Sequence, residues 1–381
     1  MTTRTLAVWV AAAFLTGTRV LAADEPPVDF NKARAIFERS QRGEKISDEE
    51  RAYVQRAKQS KQRSQGKAGG GGQPLPPPPP VWTQHLTPLT ELGGEKYKGE
   101  EGGLYGAGKN TPPADHLKAA LRESAKIRPL DAEGNADADG KIGLLSVGMS
   151  NTTQEFSRFM TEAKRDAEKS PRVVLVDGAQ GGQTGARWAD ASTPLWATVD
   201  ERIRAAGLSP AQIQVAWMKQ AESGPARLGE FPKHAEVLRD NLVTVLGHLK
   251  QRFPNLRIVY LSSRIYGGFA KTQLNPEPYA YEEAFSMQWL IRDQLAGAPA
   301  LNYDATRGAV KAPLLLWGPY LWADGATPRQ ADQLTYAVGD FVADGTHPSE
   351  SGRAKVAELL LKFLKTDETA KGWFVGASTA K

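Results

Sequence analysis

Ile142-Gly143-Leu144-Leu145-Ser146-Val147-Gly148-Met149-Ser150-Asn151-Thr152-Thr153-Gln154-Glu155-Phe156 reads as strand, turn and helix in one short stretch. Ile142–Val147 is a compact apolar run of strand length. Beyond the turn, Phe156, Phe159, Met160, Ala163 and Ala167 recur at helical spacing. The same alternation continues down the chain. Arg172–Val176 reads as a second strand, Trp196–Ala206 as a helix, and Ile213–Trp217 as a third strand. Glu236–Phe253 reads as a helix, Leu256–Leu261 as a strand, and Tyr281–Leu295 as a helix. Leu314–Trp317 is the last strand and Ser351–Leu364 the closing helix. Short apolar strands separated by helices predict a parallel sheet buried on both faces. The expected fold is therefore a flavodoxin-like three-layer α/β/α sandwich, with a sheet of about five strands. In such sheets the reactive residues sit in loops beyond the carboxyl ends of the strands.

Outside that domain the chain changes character. Arg4, the apolar run Leu6–Leu15 and the small residues before Ala22 or Ala23 read as a signal peptide over residues 1–23. This predicts a secreted, periplasmic or envelope protein. The alternative, an uncleaved anchor, is disfavoured by the polar Thr16-Gly17-Thr18 break. The expected mature chain has no integral membrane span. Residues 28–66 read as a helical hairpin, with Ala33, Ile36 and Phe37 on one face and Ser47-Asp48-Glu49-Glu50 as a capping box. The basic stretch Arg56–Lys67 is read as a solvated spacer in preference to a grip on an acidic polymer. Residues 67–80, with Gly69–Gly72 and Pro76–Pro80, read as a linker. The main domain is expected over 81–366, with a tail at 367–381.

Composition excludes several chemistries. The 381 residues include no cysteine, so disulfides, thiolate metal sites and cysteine nucleophiles are absent. Hydrophobic residues at 40% allow a sizeable core. The net charge of +5 is small, and two of those charges, Arg4 and Arg19, lie in the export segment. With no basic face interleaved with aromatics, nucleic acid is not an expected partner. Asn135-Ala136-Asp137-Ala138-Asp139-Gly140 imitates the start of a calcium loop, but its closing position is Ser146, inside the first strand. It is read as an acidic turn, and no metal or cofactor is expected.

Ser150 sits where a strand gives way to a helix amino end. There a hydroxyl is exposed and free amides meet negative charge. A serine in this place is also an ordinary helix cap. Near the carboxyl end stands Asp344-Gly345-Thr346-His347-Pro348. An Asp three residues before a His orients the imidazole as a base. Of the five histidines, His234 and His248 fall on an amphipathic helix, His85 lies just past the linker, and His116 is the other loop candidate.

Gly148-Met149-Ser150-Asn151-Thr152 and Asp344-Gly345-Thr346-His347-Pro348 resemble the first and last conserved blocks of the SGNH/GDSL hydrolases. The resemblance covers roughly Lys141 to Leu364. Met149 stands where the family has Asp, a residue that is not the triad acid. The resemblance implies a Ser150–His347–Asp344 triad and acyl-ester hydrolysis without a metal. It implies an oxyanion hole from the amide of Ser150, the amide of Gly182 (with Gly181 as alternative) and a third donor. The family's third-block Asn is missing. Trp217-Met218-Lys219-Gln220-Ala221-Glu222 loosely resembles the Trp-x-Gln-Gly-Glu stretch of carbohydrate acetylesterases, so Gln220 is the expected donor, with Lys219 as the alternative.

Arg264, Tyr266, Trp317, Tyr320 and Trp322 lie at or beyond the ends of the later strands and are expected at a substrate rim, with a core position as the alternative for the tryptophans, held equally for Trp317. Arginine suits a carboxylate or sulfate, and aromatic faces suit sugars. Export and this rim point to O-acetyl esters on carbohydrate, cleaved by a monomer. A non-catalytic polysaccharide-binding module of the same fold is the competing reading. An α/β-hydrolase is a weaker fit, because Thr152 stands where that fold's nucleophile turn has Gly.

Overall fold

The computed structural model describes residues 29, 32–33, 36, 46–67 and 78–376. The expected signal peptide and most of the expected linker lie outside the described residues. The chain divides into two units, Met1–Leu75 and Pro76–Lys381. In the first, α1 (Asp48–Lys67) opens on the expected capping box. The Ser47 amide donates to Glu50 Oε2 at 2.9 Å, and the Glu50 amide donates to Ser47 Oγ at 3.1 Å. Among the described residues of this unit, Ala33, Ile36, Val54 and Ala57 are buried.

The second unit begins with a small antiparallel pair, β1 (Lys96–Tyr97) and β2 (Glu100–Glu101), followed by α2 (Ala114–Ser124). The main sheet then forms from β3 (Ile142–Gly148), β4 (Val173–Asp177), β5 (Ile213–Lys219), β6 (Ile258–Ser262) and β7 (Leu314–Trp317). All four pairings are parallel and the order is β4-β3-β5-β6-β7. This is the flavodoxin-like order expected from the alternating pattern.

Helices flank the sheet: α3 (Ser150–Ala163), α4 (Gly185–Ala189), α5 (Leu195–Ala205), α6 (Lys233–Arg252), α7 (Tyr279–Leu295) and α8 (Glu350–Thr366). α3 packs on α8, α4 on α6, and α6 on α7. Every residue of β3, β5, β6 and β7 is buried, which explains their continuous apolar runs. The outer strand β4 is only partly buried.

Three parts of the domain lay below the sequence signal. The hairpin β1–β2 and the helix α4 are too short to leave a periodic signal, and α2, though as long as α5, is not among the expected elements. The domain also runs past 366 into the expected tail. There α9 (Lys371–Phe374) buries Trp373 and Phe374, and the Ser170 amide donates to the Phe374 carbonyl at 2.8 Å. Apolar aromatic area of that size is not left in water when a groove is present. Among the described residues no helix is long and apolar enough to cross a membrane.

The chain passes from β3 outward to β4 and then returns to β5 on the other side. This reversal opens a crevice at the carboxyl edge between β3 and β5, the place where such sheets bind ligands. Gly148 pairs with Lys219 there, and Lys219 with Ser262.

Candidate active site

Ser150 is the first residue of α3, and Met149 is its N-cap without a side-chain hydrogen bond. The helix thus starts earlier than the expected loop allowed. Ser150 is not a cap, because its hydroxyl is engaged elsewhere. Its Oγ lies 2.7 Å from His347 Nε2. His347 Nδ1 lies 2.6 Å from Asp344 Oδ2. Two loops far apart in sequence therefore meet at one edge of the sheet.

The turn that delivers the imidazole is built locally. Asp344 Oδ1 accepts from the amides of Thr346 and His347 at 2.8 and 2.9 Å. Gly345 has φ +67°, and a Cβ there would collide with the Phe269 carbonyl, so only glycine fits. Burial pushes the Asp344 carboxyl up, but the donors from His347 and Thr346 outweigh it and hold it below its ordinary value. An ionised carboxylate at Oδ2 requires Nδ1 to carry the proton, leaving Nε2 free to accept one from Ser150.

Residues after the serine lock the arrangement. Asn151 Nδ2 donates to the Thr346 carbonyl at 2.9 Å, and Thr152 Oγ1 donates to the Lys219 carbonyl at 2.6 Å. Both side chains are buried. The serine follows the first strand of the main sheet, and the Asp/His pair precedes the last long helix.

No protein-family model matches the sequence. No curated protein matches it either. Among solved structures the chain is similar to a lipase from a goat rumen metagenome, at 15% identity and a TM-score of 0.35 over 58% of this chain and 97% of that one. It is similar to an alpha/beta hydrolase enzyme from the metagenome of Lake Arreo at 14% identity and a TM-score of 0.34, covering 60% and 95% of the two chains. A protein from Arabidopsis thaliana gives 14%, 0.31, 56% and 67% for the same quantities. Likeness at this level adds nothing to the chemistry, and the architecture stands on the chain's own sheet.

Around the serine the expected oxyanion donors are partly rearranged. Gly181, the alternative, is the glycine beside Ser150: a Cβ on it would stand 3.8 Å from the serine's. Gly182 has φ +75° and open space around its Cα, so its glycine serves the turn and not a close approach. Gln220 is buried; its Oε1 accepts from the Ala221 amide at 3.0 Å and its Nε2 donates to the Gln183 carbonyl at 3.3 Å. A carboxamide nitrogen carries two N–H groups, so one remains. Lys219, the alternative, is bound into a buried ion pair. Its Nζ lies 2.7 and 2.6 Å from the two Glu155 oxygens, with both side chains at 1% exposure or less. Burial lowers the Lys219 ammonium, and Glu155 opposes that shift.

The expected aromatic rim is not a rim. Trp317, Tyr320 and Trp322 are buried, as is Tyr266. Trp317 Nε1 donates to the Leu104 carbonyl at 2.6 Å, and Tyr320 OH accepts from the Leu89 amide at 3.1 Å. The segment before β3 covers these rings, a long-range packing that strand position alone does not reveal. Arg264 is buried too. The remaining histidines are structural or remote. His116 lies on α2, not in a loop, and its Nε2 donates to the Leu315 carbonyl at 2.8 Å. Nε2 of buried His234 meets Glu282 at 2.7 Å, and His248 Nε2 donates to the Ala189 carbonyl at 3.0 Å. His85 Nδ1 pairs with Asp324 Oδ2 at 2.7 Å. In the acidic turn, Asp137 Oδ1 accepts from the Asp139 amide at 2.9 Å.

Sequence reasoning missed Glu155, Glu277 and Glu283, all buried near this edge. Glu155 was detectable as a charged residue on the apolar face shared with Phe156 and Phe159. Burial pushes Glu277 up to about 7 against the donors that hold it, and Glu283 up to about 8 against the charge of Arg264 and its own donors. Folding therefore takes up protons between the ordinary carboxylate range and those values. Stability is highest on the acid side of that window and falls as pH rises through it. The urea midpoint is expected to drop between pH 5 and 8, and Glu283→Gln to drop less. Equal pH slopes for the two proteins would refute the assignment.

Proposed function

We propose that the chain is an exported serine esterase that cleaves acyl esters, with O-acetyl groups on carbohydrate as the substrate class. The unbroken hydrogen-bond line from Ser150 Oγ through His347 to Asp344, at 2.7 and 2.6 Å, carries this reading. Ser150 Oγ attacks the ester carbonyl while His347 Nε2 takes its proton. Asp344 holds the Nδ1–H and stabilises the imidazolium. The oxyanion is met by amides at the α3 amino end and the Gly181–Gly182 turn, with the free N–H of Gln220. The imidazolium then returns its proton to the departing alkoxide. Water attacks the acyl-serine with His347 again as base, and the acid leaves.

Export is supported by the amino-terminal sequence alone. The carbohydrate part rests on the Trp217–Glu222 resemblance, since the aromatic residues first expected to cradle a sugar are core. A non-catalytic binding module would have no need of an oriented Ser–His–Asp line, so that reading is set below hydrolysis.

A fluorophosphonate probe tests the proposal. The intact protein is expected to gain one phosphonyl group, placed on Ser150 by peptide mass mapping, and to lose p-nitrophenyl acetate hydrolysis in step. Labelling of Ser150→Ala to the same extent, or no labelling of the native chain, rejects it.

A further inference from the structure

Arg264 stands out among the buried groups. It is 5% exposed, and its Nε is buried without a hydrogen-bond partner. Among the described residues no acceptor meets any of its five N–H groups, and no carboxylate oxygen lies within salt-bridge distance. Arginine is almost never buried unless paired.

The nearby carboxylates are held by other donors, except that Glu283 Oε2 is itself buried without a partner and beyond salt-bridge distance of Arg264. Glu155 holds Lys219. Glu277 accepts from the Gly267 amide at 2.8 Å, Trp322 Nε1 at 2.7 Å and the Tyr281 amide at 3.0 Å. Glu283 Oε1 accepts from the Glu222 amide at 3.2 Å and from Asn275 Nδ2 at 2.9 Å. Asp344 orients His347. These groups, all within electrostatic range of Arg264, offset its charge without filling its fork. The adjoining Ser263 hydroxyl is also buried without a partner.

Sheet register places the arginine relative to the serine. Gly148, Lys219 and Ser262 stand side by side across three strands. Ser150 and Arg264 each follow two residues later, beyond the ends of strands that lie two spacings, or about 10 Å, apart. The end of β5, with Gln220, lies between them.

We propose that Arg264 forms an anion subsite of the hydrolase, gripping a carboxylate that the substrate carries a few bonds from its scissile carbonyl. The inference rests on the esterase reading above and narrows it to anionic esters. A planar guanidinium binds a carboxylate through two parallel hydrogen bonds, and in a buried site each is charge-assisted.

Two matched pairs of esters test it, with hydrolysis followed by pH-stat. Monomethyl glutarate against methyl pentanoate places the charge on the acyl side. 4-Acetoxybutanoate against butyl acetate places it on the alcohol side. In one pair the native enzyme should favour the anionic member by at least about tenfold in kcat/KM. Arg264→Met should bring that ratio to about one, and Arg264→Lys should retain part of it. Glutarate should also inhibit p-nitrophenyl acetate hydrolysis by the native chain, more strongly than pentanamide does, a measurement that needs no variant. Equal rates within both pairs, from an enzyme active on p-nitrophenyl acetate, overturn the subsite and leave the esterase standing. So does an Arg264→Met loss of equal size for charged and neutral esters, which marks a purely structural role. No hydrolysis of p-nitrophenyl acetate by the native chain overturns the esterase reading itself.

Discussion

Replacing Ser150 by alanine is expected to lower kcat for p-nitrophenyl acetate by about 10⁴ to 10⁶. In the proposed mechanism the hydroxyl at 2.7 Å from His347 Nε2 is the nucleophile, so its removal takes away the acylation step. His347→Ala should cost a similar factor, because the serine then lacks a base. The double variant should fall little further, since serine and imidazole act in one proton transfer and their effects do not add. A residual rate above water is expected from the oxyanion donors. Burst kinetics on the native chain and steady-state rates on all three variants make the check. Additive losses, or a Ser150→Ala rate near the native one, would refute the triad.

The second large effect is on stability. Lys219→Met strands the Glu155 carboxylate at 0% exposure, and this should cost about 3–5 kcal/mol. Lys219→Met with Glu155→Leu removes both charges and should recover most of that loss. Two apolar side chains escape the desolvation penalty that the ion pair only offsets. Urea unfolding of the native chain, both single variants and the double variant closes a double-mutant cycle, with an expected coupling of several kcal/mol. A single-variant loss below about 1 kcal/mol would mean that water reaches the pair. Because Lys219 immediately precedes Gln220 and its carbonyl accepts from Thr152, the pair also ties the end of β5 to the nucleophile helix.

Much of the fold was legible along the chain because its signals are local. Leu144, Val147, Ile258 and Leu314 belong to apolar runs that only a doubly covered sheet accommodates. The turn Asp344–His347 was legible because its hydrogen bonds close within four residues. The oxyanion donors were harder to read. Lys219 and Gln220 are adjacent, and alternation along a strand tells only that they point to opposite sides. It took Glu155, 64 residues earlier on α3, to claim the lysine. Trp317 and Tyr320 look like rim residues from strand position, yet Leu89 and Leu104 arrive from the front of the domain to cover them.

Periodicity and spacing were enough to specify a parallel α/β sheet and to nominate Ser150, Asp344 and His347, because those properties depend on neighbours in the chain. Which glycine stands by the serine, which cation is spent on Glu155, which aromatics are core, and the stranding of Arg264 without a partner all came from folding. Each is a contact between segments that sequence order keeps apart, and burial, unlike periodicity, belongs to the whole molecule.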